Sequence, residues 1–398
     1  MLAVAVLITG ASLSNSLPSD FTITAERGLK INSDIPISAR QSENSNSVFE
    51  SHSKRSTFSV NLFGLIPVKD VSAEYEQKTE VLLSGRPFGI KIFTDGVMVV
   101  GITGVKAEKE TADPAKNAGI KKGDIILKAN DKQLCSNEDL RSVIENSGGG
   151  SVSLLCKRGE SSFVTELYPV LCAEDNTFKA GIWVRDSSAG IGTMTFVEPQ
   201  NGAFAGLGHS VCDVDTGETL TVLSGQALCA EIIGITKGQK GAAGEIQGCF
   251  ISNKPLGDIS VNSECGVFGK YSGVTDEFEK AEVAMRQEVK KGDAEILSFV
   301  SGEAKHYTCK IEKISMNDKK QQNLTIKITD SGLLDLTGGI VQGMSGSPII
   351  QDGRLVGAVT YVFVDDPTMG YGIFAESMLE NAKSSVNDRQ NGDSQKAS

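Results

Sequence analysis

Histidine is nearly missing from this chain: His52, His209 and His306 are the whole supply among 398 residues. No pair of them stands in the His-Glu-x-x-His spacing that lets one helix face grip zinc, which excludes the common metalloprotease plan. The eight cysteines (135, 156, 172, 212, 229, 249, 265 and 309) contain no Cys-x-x-Cys pair, so zinc-finger spacing is missing too. Several lie in apolar runs such as Leu154-Leu155-Cys156, the setting of buried free thiols. Excess positive charge is also lacking. The net charge is −11 and no long basic run occurs, which argues against a nucleic-acid partner. Aromatic residues make up only 6%, whereas glycine is abundant at 43 residues. Beside many Val, Ile and Thr residues, that glycine predicts short strands and tight turns, hence a mainly β protein. No apolar run reaches the roughly 20 residues that a bilayer-spanning helix needs.

What is present divides the chain by composition. Residues 1–17 begin with an apolar run without a basic flank, and read as an export signal or anchor that associates the N-terminus with a membrane. Residues 18–84 hold N-terminal strands and a linker, the polar, Ser-rich stretch 41–56. Residues 85–171 form one unit and 178–383 another. Residues 384–398 are uniformly polar and are expected to be disordered. The Gly-rich run 234–244 has no phosphate-loop pattern and reads as a strand connection. Nothing in the sequence requires a cofactor or a metal.

Within 85–171, Pro87-Phe88-Gly89-Ile90-Lys91-Ile92 steps from apolar through Gly to apolar and leads into a strand. The run 113–126 joins a short helix to a strand through Gly123-Asp124. Residues 136–146 predict an amphipathic helix. Ser136 caps its start, Glu138 and Asp139 suit the positive end of its dipole, and Leu140, Val143 and Ile144 share a face. This order resembles bacterial PDZ domains of α+β type, particularly those attached to exported proteases. The resemblance implies that backbone N–H groups around Phe88, Gly89 and Ile90 face a peptide carboxylate. The peptide would add as a strand and lie against the Leu140 helix. Gly89 would leave room for its close approach. The competing reading is a structural module whose groove is filled by its own chain.

Gly343-Met344-Ser345-Gly346-Ser347-Pro348, followed by the apolar Ile349-Ile350, resembles the nucleophile loop of trypsin-like double β-barrel proteases. Each position has a mechanical reason. Ser345 would carry the attacking hydroxyl. Gly343 and Ser345 would offer N–H groups as an oxyanion hole. Gly346 permits the tight turn, and Pro348 stiffens the entry into the next strand. Such a serine needs a general base, usually His. His52 lies in the Ser-rich linker and His306 between polar residues. His209 lies in the small-residue run Gly206-Leu207-Gly208-His209-Ser210 and is the candidate base. A carboxylate that fixes the imidazole could be Asp213, Asp215, Asp258, Asp330 or Asp335. Asp330 ends an alternating strand fifteen residues before Ser345.

The stretches 183–193 (WVRDSSAGIGT), Gly208-His209, 338–348 (GGIVQGMSGSP) and 357–373 (GAVTYVFVDDPTMGYGI) resemble the stage IV sporulation protein B peptidase family. With the PDZ unit, the resemblance covers over three-quarters of the chain. It implies a catalytic Ser345 and His209, and maps the family's proposed aspartate onto Asp330; a Ser–His dyad with a structural Asp330 is the competing view. It further implies a sporulation signalling serine endopeptidase, exported across the inner forespore membrane into the intermembrane space. There it would cleave itself in trans, with 41–56 an accessible segment, and cut a membrane-bound regulator, which releases processing of a late sigma factor. Two other readings are a general extracytoplasmic quality-control protease and a non-catalytic PDZ adaptor with a protease-like barrel. The PDZ-first order speaks against the former, and retention of both Ser345 and His209 against the latter.

Overall fold

The computed structural model describes residues 2–42, 55–317 and 321–396. Most of the polar stretch 41–56 lies outside them. Helix α1 (Leu2–Ser16) leads into a four-stranded sheet of β1 (Asp20–Thr24), β2 (Ile37–Gln41), β3 (Arg55–Leu62) and β4 (Ile66–Glu76), in the order β1-β4-β3-β2. Leu13 and Leu17 at the end of α1 are buried against Phe58, Val60 and Val71 of this sheet. Among the described residues no helix is long and apolar enough to cross a membrane.

After β5 (Glu80–Leu83), strand β6 (Pro87–Ile102) runs for 16 residues and serves two bodies. Its second half, with β7 (Ile125–Ala129), helix α2 (Asn137–Asn146), β8 (Val152–Arg158), β9 (Ser161–Leu167) and the first residues of β10 (Ile182–Val197), builds the PDZ unit. Helix α2 forms as its sequence dictates: Ser136 Oγ accepts from the Asp139 N–H at 3.2 Å, and Leu140 and Ile144 are buried.

The first half of β6 and the second half of β10 instead belong to a barrel completed by β11 (Ala203–Gly206), β12 (Val222–Thr236), β13 (Glu245–Ser263) and β14 (Gly266–Tyr271). Each neighbour pairs antiparallel around the ring β6-β10-β11-β14-β13-β12 and back to β6. Phe88, Ile90, Ile92, Met194 and Phe204 fill its core.

Strand β15 (Glu279–Val283) then leads to the second barrel: β16 (Gly292–Ser298), β17 (Lys305–Ile314), β18 (Leu324–Ile328), β19 (Pro348–Gln351), β20 (Arg354–Phe363) and β21 (Asp366–Phe374). It too closes antiparallel, as β16-β17-β18-β21-β20-β19 and back to β16. Period-two alternation explains its core. Tyr307, Cys309 and Ile311 point inward from β17, as do Leu324, Ile326 and Ile328 from β18. Helix α3 (Ser331–Thr337) sits between β18 and the loop before β19. Helix α4 (Ala375–Lys396) packs Met378, Leu379 and Ala382 between the barrels, against Phe196, Phe268 and Leu355.

The fold is therefore mostly β, a PDZ unit with trypsin-like barrels, but three expectations change. The PDZ unit, expected at 85–171 ahead of the protease at 178–383, is inserted between the first two strands of the first barrel. The polar tail expected to be disordered from 384 instead continues helix α4 to Lys396. Only Cys156, Cys172 and Cys309 are buried; Cys135, Cys212 and Cys249 are exposed, and all eight are free thiols. Burial pushes the Cys156 and Cys309 thiols up to about 12.

Candidate active site

The loop after α3 delivers Ser345 to the seam between the barrels. Asp330 starts α3 by accepting the Leu333 N–H at 2.9 Å, and Gly338, in the left-handed region at φ 75°, ends it. The chain then turns through Gly343 and Gly346. Gly346 has φ 97°, and a Cβ there would collide with the Thr193 carbonyl and the Leu207 nitrogen. No other residue fits.

Thr193 on β10 stitches this loop in place. Its N–H donates to the Ser345 carbonyl at 3.0 Å, and its hydroxyl donates to the Gly343 carbonyl at 2.7 Å. Its own carbonyl accepts the Leu207 N–H at 3.2 Å, which ties in the turn that carries His209. Thr195 Oγ1 donates to the Gly346 carbonyl at 2.7 Å. Met344, Gly346 and Ser347 spend their N–H groups on Val341, Val359 and Met344. Among the described residues, the N–H groups of Gly343 and Ser345 have no hydrogen-bond partner. Two unpartnered donors beside a serine hydroxyl are what an oxyanion hole requires.

Ser345 Oγ donates to the Thr360 carbonyl at 2.6 Å. The His209 ring stacks on the next residue, Tyr361, with centroids 4.7 Å apart and planes 26° from parallel. Consecutive residues of β20 thus hold both side chains. Among the described residues no hydrogen bond joins Ser345 Oγ to His209. His209 Nδ1 lies 2.9 Å from the Ser210 carbonyl. A carbonyl only accepts, so Nδ1 carries the proton and Nε2 the lone pair, the form a general base needs. Burial lowers the pKa of His209 below its ordinary value of 6.5, outweighing the opposing hydrogen bond to the Ser210 carbonyl. The imidazole is therefore neutral near pH 7.

Among the described residues, no carboxylate is among the groups acting on His209. Asp330 is occupied as a helix cap. Asp213 is buried, paired with Arg185, and accepts the Asp215 and Thr216 N–H groups. Asp215 also pairs with Arg185, at 2.8 Å. Asp258 lies on β13 opposite Gln226 and Lys270, and Asp335 lies within α3. His306 is held on the second barrel between Glu295, at 2.9 Å, and Glu279, at 3.0 Å. His52 lies outside the described residues. Among the described residues no cluster of His, Cys, Asp or Glu is arranged to hold a metal.

Beside the loop that carries Ser345 runs a cleft of about 510 Å³, lined by Ala189, Gly190, Ile191, Gly248, Phe250 and Gly343 among others. A second cavity, of about 710 Å³, lies in the PDZ unit between Leu140, Arg141 and Ile144 of α2 and Ile182, Trp183 and Val184 of β10. Leu140 lines this cavity, but Phe88, Gly89 and Ile90 do not. They sit in the first barrel, paired on one side with β10 and on the other with β12, so their backbone groups serve two ladders. Phe88 and Ile90 are buried, and the Phe250 ring covers Gly89. The apolar-Gly-apolar step that opens a PDZ groove also describes a central barrel strand, and the latter is what it builds here.

Sequence reasoning missed Thr193, Thr360, Tyr361 and the Ser210 carbonyl. Two of these act through backbone atoms, which leave no mark on residue type. Tyr361 carried no signal in the sequence: that it is 44% exposed directly after six buried residues of β20 is visible only in the structure.

Comparison with known proteins adds four findings. The family model described as SpoIVB peptidase S55 matches residues 176–379, just over half of the chain. A PDZ-domain model matches residues 111–158. A protein of Nostoc sp. (strain PCC 7120), named as a putative zinc metalloprotease, is 36% identical over 73 residues. That match covers 17% of this chain and 20% of the relative, so the chain spans about a fifth of the relative's length. Among solved structures, the PDZ domain of an SdrC-like protein from Listeria monocytogenes is 22% identical. It aligns with 23% of this chain and 90% of its own, with a TM-score of 0.19.

Proposed function

Since the chain belongs to the SpoIVB peptidase S55 family and is a serine endopeptidase, we propose that Ser345 is its nucleophile and His209 its general base. The observation that carries this is the seating of both side chains on Thr360 and Tyr361, beside two unpartnered N–H groups. In the reaction, the Ser345 hydroxyl rotates from the Thr360 carbonyl and gives its proton to His209 Nε2 as Oγ attacks the scissile carbonyl. The Gly343 and Ser345 N–H groups receive the oxyanion. His209 then protonates the leaving amine, and water repeats the sequence to release the acyl group. The neighbouring cleft has room for an extended peptide. Asp330, as a helix cap, supports the Ser–His dyad over a triad.

The finer reading is a sporulation signalling protease. Family membership supports it, and the PDZ groove supplies a second place for a protein substrate or another copy of the chain to dock. The apolar α1 supports export and membrane association at the forespore. The test is labelling with a fluorophosphonate, which reacts only with an activated serine. Wild type labels, whereas Ser345→Ala and His209→Ala do not; labelling of Ser345→Ala removes the nucleophile assignment. The mature N-terminus of wild type, compared with Ser345→Ala, tests self-cleavage. Sparing of denatured casein separates a signalling protease from a quality-control enzyme.

A further inference from the structure

In a Ser-His-Asp triad the carboxylate orients the imidazole and stabilises the imidazolium that forms when serine loses its proton. Here the first duty falls partly to the Ser210 carbonyl, which fixes the tautomer. A single hydrogen bond lets a ring swing about its axis and offers little to a full positive charge. We infer that Tyr361 is the positioning residue that supplies the remainder, because its ring stacks on His209 and takes the place of the missing carboxylate. The inference rests on the Ser345–His209 assignment above.

Three observations carry it. The ring centroids are 4.7 Å apart and the planes only 26° from parallel, within cation–π reach of an aromatic face. The preceding residue, Thr360, already holds the Ser345 hydroxyl by its carbonyl at 2.6 Å, so one strand sets the relative position of nucleophile and base. The Tyr361 side chain is 44% exposed, in contrast to the buried β20 residues before it, so its ring is not there to fill the barrel. The neutral imidazole gains little from stacking. The imidazolium, formed as the proton crosses from Oγ to Nε2, gains much more. An interaction that strengthens only in the transition state raises the rate constant and leaves ground-state binding unchanged. The phenol hydroxyl has no part in this: burial, and after it the charges of Cys212 and Glu264, raise its pKa, so it stays neutral near pH 7.

The test measures fluorophosphonate labelling as a saturable process, separating the limiting rate constant from the half-saturating concentration. Wild type, Tyr361→Phe, Tyr361→Leu and Ser345→Ala are compared, with melting temperatures for each. Ser345→Ala must not label; if it does, the nucleophile assignment fails and Tyr361 is not at issue. With that control met, Tyr361→Phe is expected to stay within about twofold of wild type. Tyr361→Leu is expected to lose about ten- to thirtyfold in the limiting rate constant, at unchanged half-saturation and melting temperature. Should Tyr361→Leu fail to fold, Tyr361→Gln serves as the ringless variant. A ringless variant that labels at the wild-type rate overturns the inference. So does a Tyr361→Phe variant that falls as far as Tyr361→Leu, and so does a loss confined to half-saturation.

Discussion

Asp330 and His209 show how much, and how little, a single residue type reveals. Asp330 precedes Ser-Gly-Leu-Leu, and Asp ahead of an apolar turn is a helix-cap signature as much as a catalytic one. Its carboxylate is spent on the Leu333 N–H. Asp330→Asn therefore keeps the cap, with labelling within about twofold of wild type, whereas Asp330→Ala costs about 1 kcal/mol of stability in a denaturant titration. A large loss of labelling in Asp330→Asn would restore the triad. His209 is singled out in the sequence by scarcity, and its pH behaviour comes from burial. Its pKa is lowered below 6.5, so the folded chain binds fewer protons than the unfolded one around that pH. Stability from this group is lost as the pH falls through 6.5 towards the folded value. The acid limb of the labelling-rate profile is likewise expected below pH 6.5; an acid limb above it contradicts the desolvated imidazole. The loop 343–348 stands out in the sequence because every residue type in it has a mechanical reason to form a tight turn. Thr193 and Tyr361 do not, because a threonine and a tyrosine in β-strands carry no mark of what stands opposite.

At the level of elements, local periodicity located most strands and the capped helix α2, but not which body each strand joins. β6 and β10, each 16 residues long, pass from one core into another. In β6 the passage falls at Thr94-Asp95-Gly96, where Gly96 takes φ 81° and the alternation gives way to the consecutively buried Val97, Met98 and Val99; a polar-Gly step of that kind reads in sequence as an ordinary bulge. The assignment has a measurable result. Phe88 lies in the first barrel core beside Phe204, with ring centroids 6.0 Å apart. Phe88→Ala is thus expected to destabilise the catalytic barrel by about 3–5 kcal/mol and to abolish labelling at moderate temperature. If it weakened only peptide binding by the PDZ unit, Phe88 would belong to that unit. Helix α4 teaches the same lesson at the other end. The polar composition of 384–398 suggested disorder, yet that stretch continues a helix whose first turns bury Met378, Leu379 and Ala382 between the barrels.

On the scale of the whole molecule, the N-terminal sheet is fastened to the second barrel by Arg27, whose guanidinium meets Glu282 at 2.6 Å and Glu288 at 3.3 Å. Arg354 also reaches Glu288, at 2.8 Å. The PDZ unit is joined differently, through β6 and β10 themselves. Joining Thr94 to Ser187 by Asn-Gly, with 95–186 removed, leaves the pairing from Phe93–Ser187 onward to close the barrel. That chain is expected to fold and to label with fluorophosphonate; failure to fold would make the insertion part of the barrel's own scaffold. In the intact chain, the two strands change register at Asp186, where the Thr94 hydroxyl donates to the Asp186 carbonyl at 3.2 Å. The Asp186 carboxylate accepts the Asn137 N–H at 2.8 Å, at the head of α2. One wall of the cavity beside α2 is thereby clipped to a kink in the same rod that carries Thr193 further along. A guest wedged beside α2 would lean on a crowbar whose other tip props up the serine turn.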